Sequence, residues 1–97
     1  MFGIHMKYAN YNDCYFDIQN QYIFVKSQKE GNICRVNNPT LDPDFPERIA
    51  LKNYSENEGL LDELTRLGVV QDTGLTVQSG YTVHNICTFD IDKASAL

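Results

Sequence analysis

The sequence predicts an α+β fold: a small antiparallel sheet of about four to six strands, with one principal helix at about residues 56–67 packed on one face. Three observations lead to this prediction. Apolar residues alternate near the amino terminus, they alternate again in the last long apolar segment, and leucines recur at helical spacing between the two. A chain of 97 residues has room for one domain, so residues 1–97 are taken as a single α+β domain.

The first strands are predicted from alternation and from residues of high strand propensity. Phe2, Ile4 and Met6 alternate with smaller or polar residues, as in a half-buried strand. The Asn-rich residues 9–13 predict a turn, and Gly31 predicts a hairpin turn with positive φ. In chain order, the expected strands are residues 2–8, 15–18, 21–27, 33–36, 49–51 and 81–91.

The helix has both a start and a stop signal. Ser55 and Glu58 match a capping box, and Gly68 is expected to end the helix in a left-handed conformation. Gly59 is costly inside a helix, so a close backbone approach, for example to the final strand, or a partner-binding surface is needed to explain it. The leucines define one buried face, and the opposite, solvent-facing side is expected to carry Asp62, Glu63 and Arg66.

The remaining segments complete the predicted architecture. All three prolines fall within residues 37–47, which predicts an ordered surface loop, and residues 72–74 predict a turn. Alternate residues of the last strand, from Tyr81 onward, are expected to face the core. The core is expected to contain Ile49, Leu51, Leu60, Leu64, Leu67, Val83, Cys87 and Phe89.

Charge and composition exclude some classes of function. The net charge is −5 and the eight basic residues are scattered, which argues against direct nucleic-acid binding. Residues 1–7 lack the basic start and apolar run of a signal peptide, and no stretch has the length of a transmembrane helix. We therefore expect a cytoplasmic protein that does not bind a membrane.

The residues that could carry chemistry do not form a recognisable site. His84 and Cys87 are three residues apart on a predicted strand, which places them on opposite faces, and no Cys-x-x-Cys pair is present. The odd count of cysteines, at positions 14, 34 and 87, favours reduced thiols over a disulfide framework. We expect no catalytic, metal or cofactor site.

One central pattern resembles a known family. The residues Lys52-Asn-Tyr-Ser-Glu-Asn-Glu-Gly59, followed after the helix by Gly68-Val-Val and Thr73-Gly-Leu-Thr-Val-Gln-Ser-Gly-Tyr81, are similar to a family of bacterial proteins of unknown function and about this length. Its members occur in bacterial genomes, plasmids and phage-like elements. Tyr81 stands where the family pattern has Phe, and Asn53 where it has Asp. The resemblance implies an accessory protein of a mobile element and supplies no catalytic residues.

The leading hypothesis is a non-enzymatic, protein-binding accessory protein whose partner is unidentified. Its sharpest version is an acidic, anti-CRISPR-like inhibitor that occupies a basic groove of a host nucleic-acid-handling defence complex. The candidate partner-binding residues are Asp42, Asp44, Glu47, Tyr54, Asn57, Asp62 and Glu63. Two alternatives stay open: a small Cys/His-dependent enzyme or metal-binding protein, and a structural homodimer that pairs through a strand edge.

Overall fold

The computed structural model describes residues 1–19, 22–38, 48–53 and 57–97. Within these residues the protein has two four-stranded antiparallel sheets and two short helices. In chain order the elements are β1 Phe2–His5, β2 Asn10–Gln19, β3 Tyr22–Ser27, β4 Gly31–Arg35, β5 Asn37–Asn38, β6 Arg48–Leu51, α1 Leu60–Arg66, β7 Val70–Ser79, β8 Thr82–Phe89 and α2 Ile91–Ala96. The predicted α+β class is confirmed. The single sheet with a principal helix is corrected to two sheets with minor helices.

The first sheet is a meander in the order β1-β2-β3-β4. Its strand β2 starts at Asn10, so the turn predicted at residues 9–13 is wrong for most of its length. Tyr11 pairs with Ile4 of β1, and the actual turn is a tight one in which the Met6 N–H donates to the Ala9 carbonyl at 3.0 Å. Strand pairing supplies the backbone partners here and overrides the weak strand propensity of the asparagines.

The second sheet has the order β5-β6-β8-β7. The turn predicted at residues 72–74 is a bulge inside the ten-residue strand β7. Gly74 adopts φ 82 and donates its N–H to Asp72 Oδ1 at 2.9 Å, while Thr73 Oγ1 donates to the Ile86 carbonyl at 2.6 Å. These side-chain bonds stabilise the extra residues, so the turn signal interrupts the ladder without ending the strand.

The two sheets are joined where β4 runs into β5. Between them, the Val36 N–H donates to the Ile23 carbonyl of β3 at 2.7 Å, and the Val36 carbonyl accepts from the Lys52 N–H at 2.8 Å. Asn37 then accepts the Ile23 N–H through its side-chain Oδ1 at 2.9 Å. Residues 31–38 thus pair first with one sheet and then with the other, which closes both over a common core.

That core combines residues from both sheets and both helices. Phe16 stacks on Phe2 with ring centroids 4.7 Å apart, and it meets Phe89 of the second sheet edge-on at 5.7 Å. Of the residues predicted for the core, Leu67 is partly buried and six are buried: Ile49, Leu51, Leu60, Leu64, Cys87 and Phe89.

The prediction that Val83 lies in the core is wrong, because its side chain is 58% exposed. The physical reason is strand length. The last pair between β6 and β8 joins Leu51 to Asn85, whereas β8 begins at Thr82. Val83 therefore lies beyond the third strand of the sheet, and its face is not covered there, whereas His84 on the opposite face is buried.

Helix α1 begins later than predicted. Its N-cap is Gly59, with φ 96 and no side-chain bond of its own, so the predicted start near residue 56 is wrong. The end is as predicted. Gly68 has φ 78, its N–H donates to the Thr65 carbonyl, and the Val69 N–H donates to the Leu64 carbonyl, which is the bond pattern of a Schellman motif.

Gly59 is explained by a close backbone approach, to the β1–β2 turn and not to the final strand. The Lys7 N–H donates to the Glu58 carbonyl at 3.0 Å, and a Cβ on Gly59 would lie 3.4 Å from the Lys7 nitrogen. Its positive φ strains any other residue. Glu58 itself is exposed and pairs with the Lys7 ammonium at 3.2 Å.

The side chain that caps α1 comes from Asn53, seven residues before the first helical residue. Its Oδ1 accepts the Leu61 N–H at 2.9 Å. The predicted cap residue, Ser55, lies outside the described residues. We expect Asn53→Ala to lower the free energy of unfolding by about 1 kcal/mol, as loss of a helix cap does. Asn53→Asp should keep most of the wild-type stability, because the acceptor oxygen remains. Thermal unfolding checks this, and equal midpoints for all three proteins would contradict it.

Candidate partner-binding surface

Four of the predicted partner-binding residues cannot be placed. Asp42, Asp44, Glu47 and Tyr54 lie outside the described residues. Asn57, Asp62 and Glu63 are described, and their surroundings differ from one another.

Asn57 is buried, with none of its surface exposed. Its Nδ2 donates to the Arg35 carbonyl at 2.9 Å and to the Lys52 carbonyl at 3.3 Å. These two carbonyls belong to segments that leave different sheets, so the amide ties the sheets together close to the start of α1. A buried side chain with these bonds has a structural role, and its surface offers nothing to a partner.

The expectation that Glu63 faces solvent is wrong. Its Oε1 accepts the backbone N–H of His5 in β1 at 2.6 Å, and its Oε2 lies 3.1 Å from Arg66 Nε. The bond from Arg66 and that from the His5 N–H lower the pKa of the Glu63 carboxyl. The carboxylate therefore anchors α1 to β1, whereas Asp62 beside it is exposed. Of the two candidate acids that are described, Asp62 alone is exposed, so the pair does not form an exposed acidic surface.

The thiols are poorly suited to nucleophilic chemistry. Cys14, Cys34 and Cys87 are all buried. Burial, with a smaller contribution from Asp72, raises the pKa of the Cys87 thiol to about 12, and burial also raises the pKa of Cys14. A thiol with so high a pKa is protonated near neutral pH and is a weak nucleophile.

His84 is also poorly placed to act as a general base for a cysteine. It is 2% exposed, its Nε2 lies 3.2 Å from Asn38 Nδ2, and burial followed by the charge of Lys52 lowers its pKa. In the described part of the chain, no group of three or more His, Cys, Asp or Glu residues could hold a metal ion. Nor do the described residues contain a helix long and apolar enough to cross a membrane.

A different surface stands out on the second sheet. Strands β7 and β8 form a hairpin with a two-residue loop, and the first loop residue, Gly80, has φ 63. We call residues 75–83 the hairpin arm. Four large apolar side chains of the arm are exposed: Leu75 by 53% and Val77 by 42% on one face, Val83 by 58% on the opposite face, and Tyr81 by 107% in the loop. Of the ten most exposed large hydrophobic side chains in the described residues, four are therefore in this short segment.

The arm is also uncharged. No Asp, Glu, Lys or Arg occurs between Thr73 and Phe89, although 22% of the chain is charged. Within the described residues β7 has β8 as its one strand neighbour, so it is an edge strand. Natural edge strands are usually protected from pairing by charged residues, by proline or by being short. The arm has no charge and no proline, and the bulge of β7 lies before it, between Asp72 and Leu75, so residues 75–79 form a regular edge without these protections.

Sequence reasoning missed this surface because it predicted no strand at β7, placed Val83 in the core and put Tyr81 on the same face of the last strand as Val83. The signal that could have found it is the long uncharged run that follows an acidic helix. The uncharged run from Thr73 to Phe89 includes residues 73–81, which are part of the pattern that resembles the bacterial family. That resemblance stays a prediction. Comparison with protein-family models, with curated proteins and with solved structures gave no match.

Proposed function

We propose that this chain is a non-enzymatic protein-binding module that acts through its hairpin arm. The observation that carries the proposal is the set of four exposed apolar side chains on an uncharged edge hairpin. The accessory, mobile-element setting of the module is supported by the sequence resemblance alone.

The energetics favour a partner on the arm. Fully burying one side chain of this size stabilises a complex by about 1.5–3 kcal/mol, and an edge strand adds main-chain hydrogen bonds to a partner strand. The tip of the arm is a two-stranded ribbon, because β6 ends its pairing at Asn85. Such ribbons are marginally stable alone, so a partner strand would also stabilise the arm itself.

The acidic-inhibitor version of the hypothesis has less support. Glu63 is committed to β1 and Asn57 is buried, which leaves Asp62 as the exposed candidate among the described ones. The two versions predict opposite responses to salt. Binding of an acidic surface to a basic groove weakens as salt is added, whereas binding through an uncharged apolar arm does not.

The test uses two substitutions that add the same charge to the same strand. Val77→Lys changes the arm, and Gln71→Lys changes an exposed residue of β7 before the bulge. Each tagged protein is used to capture proteins from bacterial cells that also express the untagged chain, and the captured proteins are quantified by mass spectrometry.

We expect the wild type and Gln71→Lys to retain the same binding partners and Val77→Lys to lose them, while all three show the same melting midpoint. If capture by Val77→Lys equals that by the wild type, the arm is not the binding surface and the proposal is wrong.

A further inference from the structure

We propose that the partner of the hairpin arm is a second copy of this chain, with β7 pairing antiparallel to β7 about a twofold axis at Val77. This inference rests on the proposed function, because it takes the arm as the binding surface. It adds the identity of the partner and the register of pairing.

The backbone of the arm is arranged to accept another strand. Between the bulge and the loop, residues 75–79 pair regularly with residues 82–86. In a hairpin with a two-residue loop, the pair next to the loop, here Ser79 and Thr82, exchanges hydrogen bonds, and bonded and non-bonded pairs then alternate. The N–H and C=O groups of Thr76 and Gln78 therefore point away from β8, toward the free edge.

With the twofold axis at Val77, each of residues 75–79 lies opposite a residue of the same segment in the other copy. Thr76 of one copy then lies opposite Gln78 of the other, and the symmetric pair repeats this, so the outward groups of both strands exchange about four main-chain hydrogen bonds. Val77 meets Val77 at a non-bonded position, where Cα atoms approach to about 4.5 Å. Leu75 lies diagonal to that contact and extends the apolar strip on the same face.

The alternative axis at Thr76 is less favourable. It would place Gly74 opposite Gln78. Gly74 has φ 82 and gives its N–H to Asp72 Oδ1, so it is not in an extended conformation and its donor is occupied. That register would leave the outward groups of Gln78 without regular partners, so the axis at Val77 is preferred.

The absence of charge on the arm allows a second copy to bind there despite the acidity of the chain. Each chain carries a net charge of −5, and two such chains repel wherever their acidic residues approach. The uncharged run from Thr73 to Phe89 is a surface on which two copies can meet with no acid facing another acid. A basic partner would find no carboxylate on the arm to bind. Added salt should therefore strengthen the association, because it screens the remaining repulsion between the copies.

The other sheet edges are less suited to pairing. Strand β1 has four residues and an irregular register, β5 has two, and β4 has five and ends in the charged Arg35. At ten residues, β7 is the longest edge strand among those described. After the bulge that follows Asp72, β7 thus offers a regular, uncharged edge over residues 75–79.

The first measurement is sedimentation velocity of the purified full chain over a range of concentrations. The wild type should be a dimer whose dissociation constant falls as salt is added. Val77→Lys, which places two ammonium groups face to face at the axis, should raise that constant by about tenfold or more, and Gln71→Lys should leave it near the wild-type value. A wild type that stays monomeric up to about millimolar concentrations overturns this proposal.

The second measurement is disulfide trapping, which tests the register. Val77→Cys should form a covalent dimer under mild oxidation, since its Cα separation suits a disulfide. Leu75→Cys is the matched control. It is on the same strand and face and is more exposed, but its two copies would be four residues apart along the strand, about 14 Å, which is too far to bridge. The three native thiols are buried, so the wild type gives the background.

The results separate this inference from the proposed function. Equal trapping of the two cysteine variants overturns the axis at Val77. A monomeric wild type together with capture of other proteins that depends on Val77 overturns the second copy as partner and leaves the arm as a binding surface. Loss of both the dimer and the arm-dependent capture overturns both proposals.

Discussion

Replacing Leu64 with alanine should lower the free energy of unfolding by about 2–5 kcal/mol, the range for removing most of a buried leucine. Leu64 is fully buried on α1 and belongs to the core shared by both sheets. The loss combines the transfer free energy of the missing carbons with the cost of the cavity they leave. Small domains have a total stability of only about 5–15 kcal/mol, so a visible fraction of the variant should be unfolded under mild conditions. Urea denaturation followed by circular dichroism measures the change.

The control for this prediction is Leu75→Ala, which makes the same chemical change on the exposed arm. Its effect on the stability of the isolated chain at low concentration should stay within about ±0.5 kcal/mol. Similar losses for the two variants would mean that α1 does not pack into the core as the structure shows.

Replacing Asn57 with alanine should lower the free energy of unfolding by about 2–4 kcal/mol, because two backbone carbonyl groups lose the hydrogen bonds that they accept from its amide. The amide donates to the Arg35 and Lys52 carbonyls, and both bonds are lost in the variant. Removing a fully buried amide also leaves a small cavity between the two sheets. The same denaturation experiment measures the change.

Asn53→Ala serves as the comparison, because it removes one cap bond from a less buried asparagine in the same segment. Its smaller expected loss, about 1 kcal/mol, should be clearly separated from that of Asn57→Ala. If Asn57→Ala keeps its stability but binds a partner less well, Asn57 contacts the partner, as the sequence hypothesis had it, and the structural role is wrong.

The candidate site shows where sequence reasoning stops. Helical spacing placed Asp62 and Glu63 on one solvent-facing side, and this holds for Asp62. Glu63 instead reaches the His5 N–H, a contact across 58 positions of the chain that no local pattern contains. The arm was missed for a related reason. Alternation correctly gives two faces to β8, but whether a face is covered at Val83 depends on where β6 ends.

The sequence by itself determined the features that depend on neighbouring residues. These are the α+β class, the buried leucines of α1, the left-handed Gly68 at its end and parts of six of the eight strands, with β5 and β7 missed, because spacing and backbone preference are local properties. Only the tertiary structure decided that there are two sheets, that Asn53 caps α1, that Gly59 meets the β1–β2 turn and that the arm extends past β6. Each of these depends on which distant segments become neighbours, and burial and hydrogen bonding are properties of those neighbours.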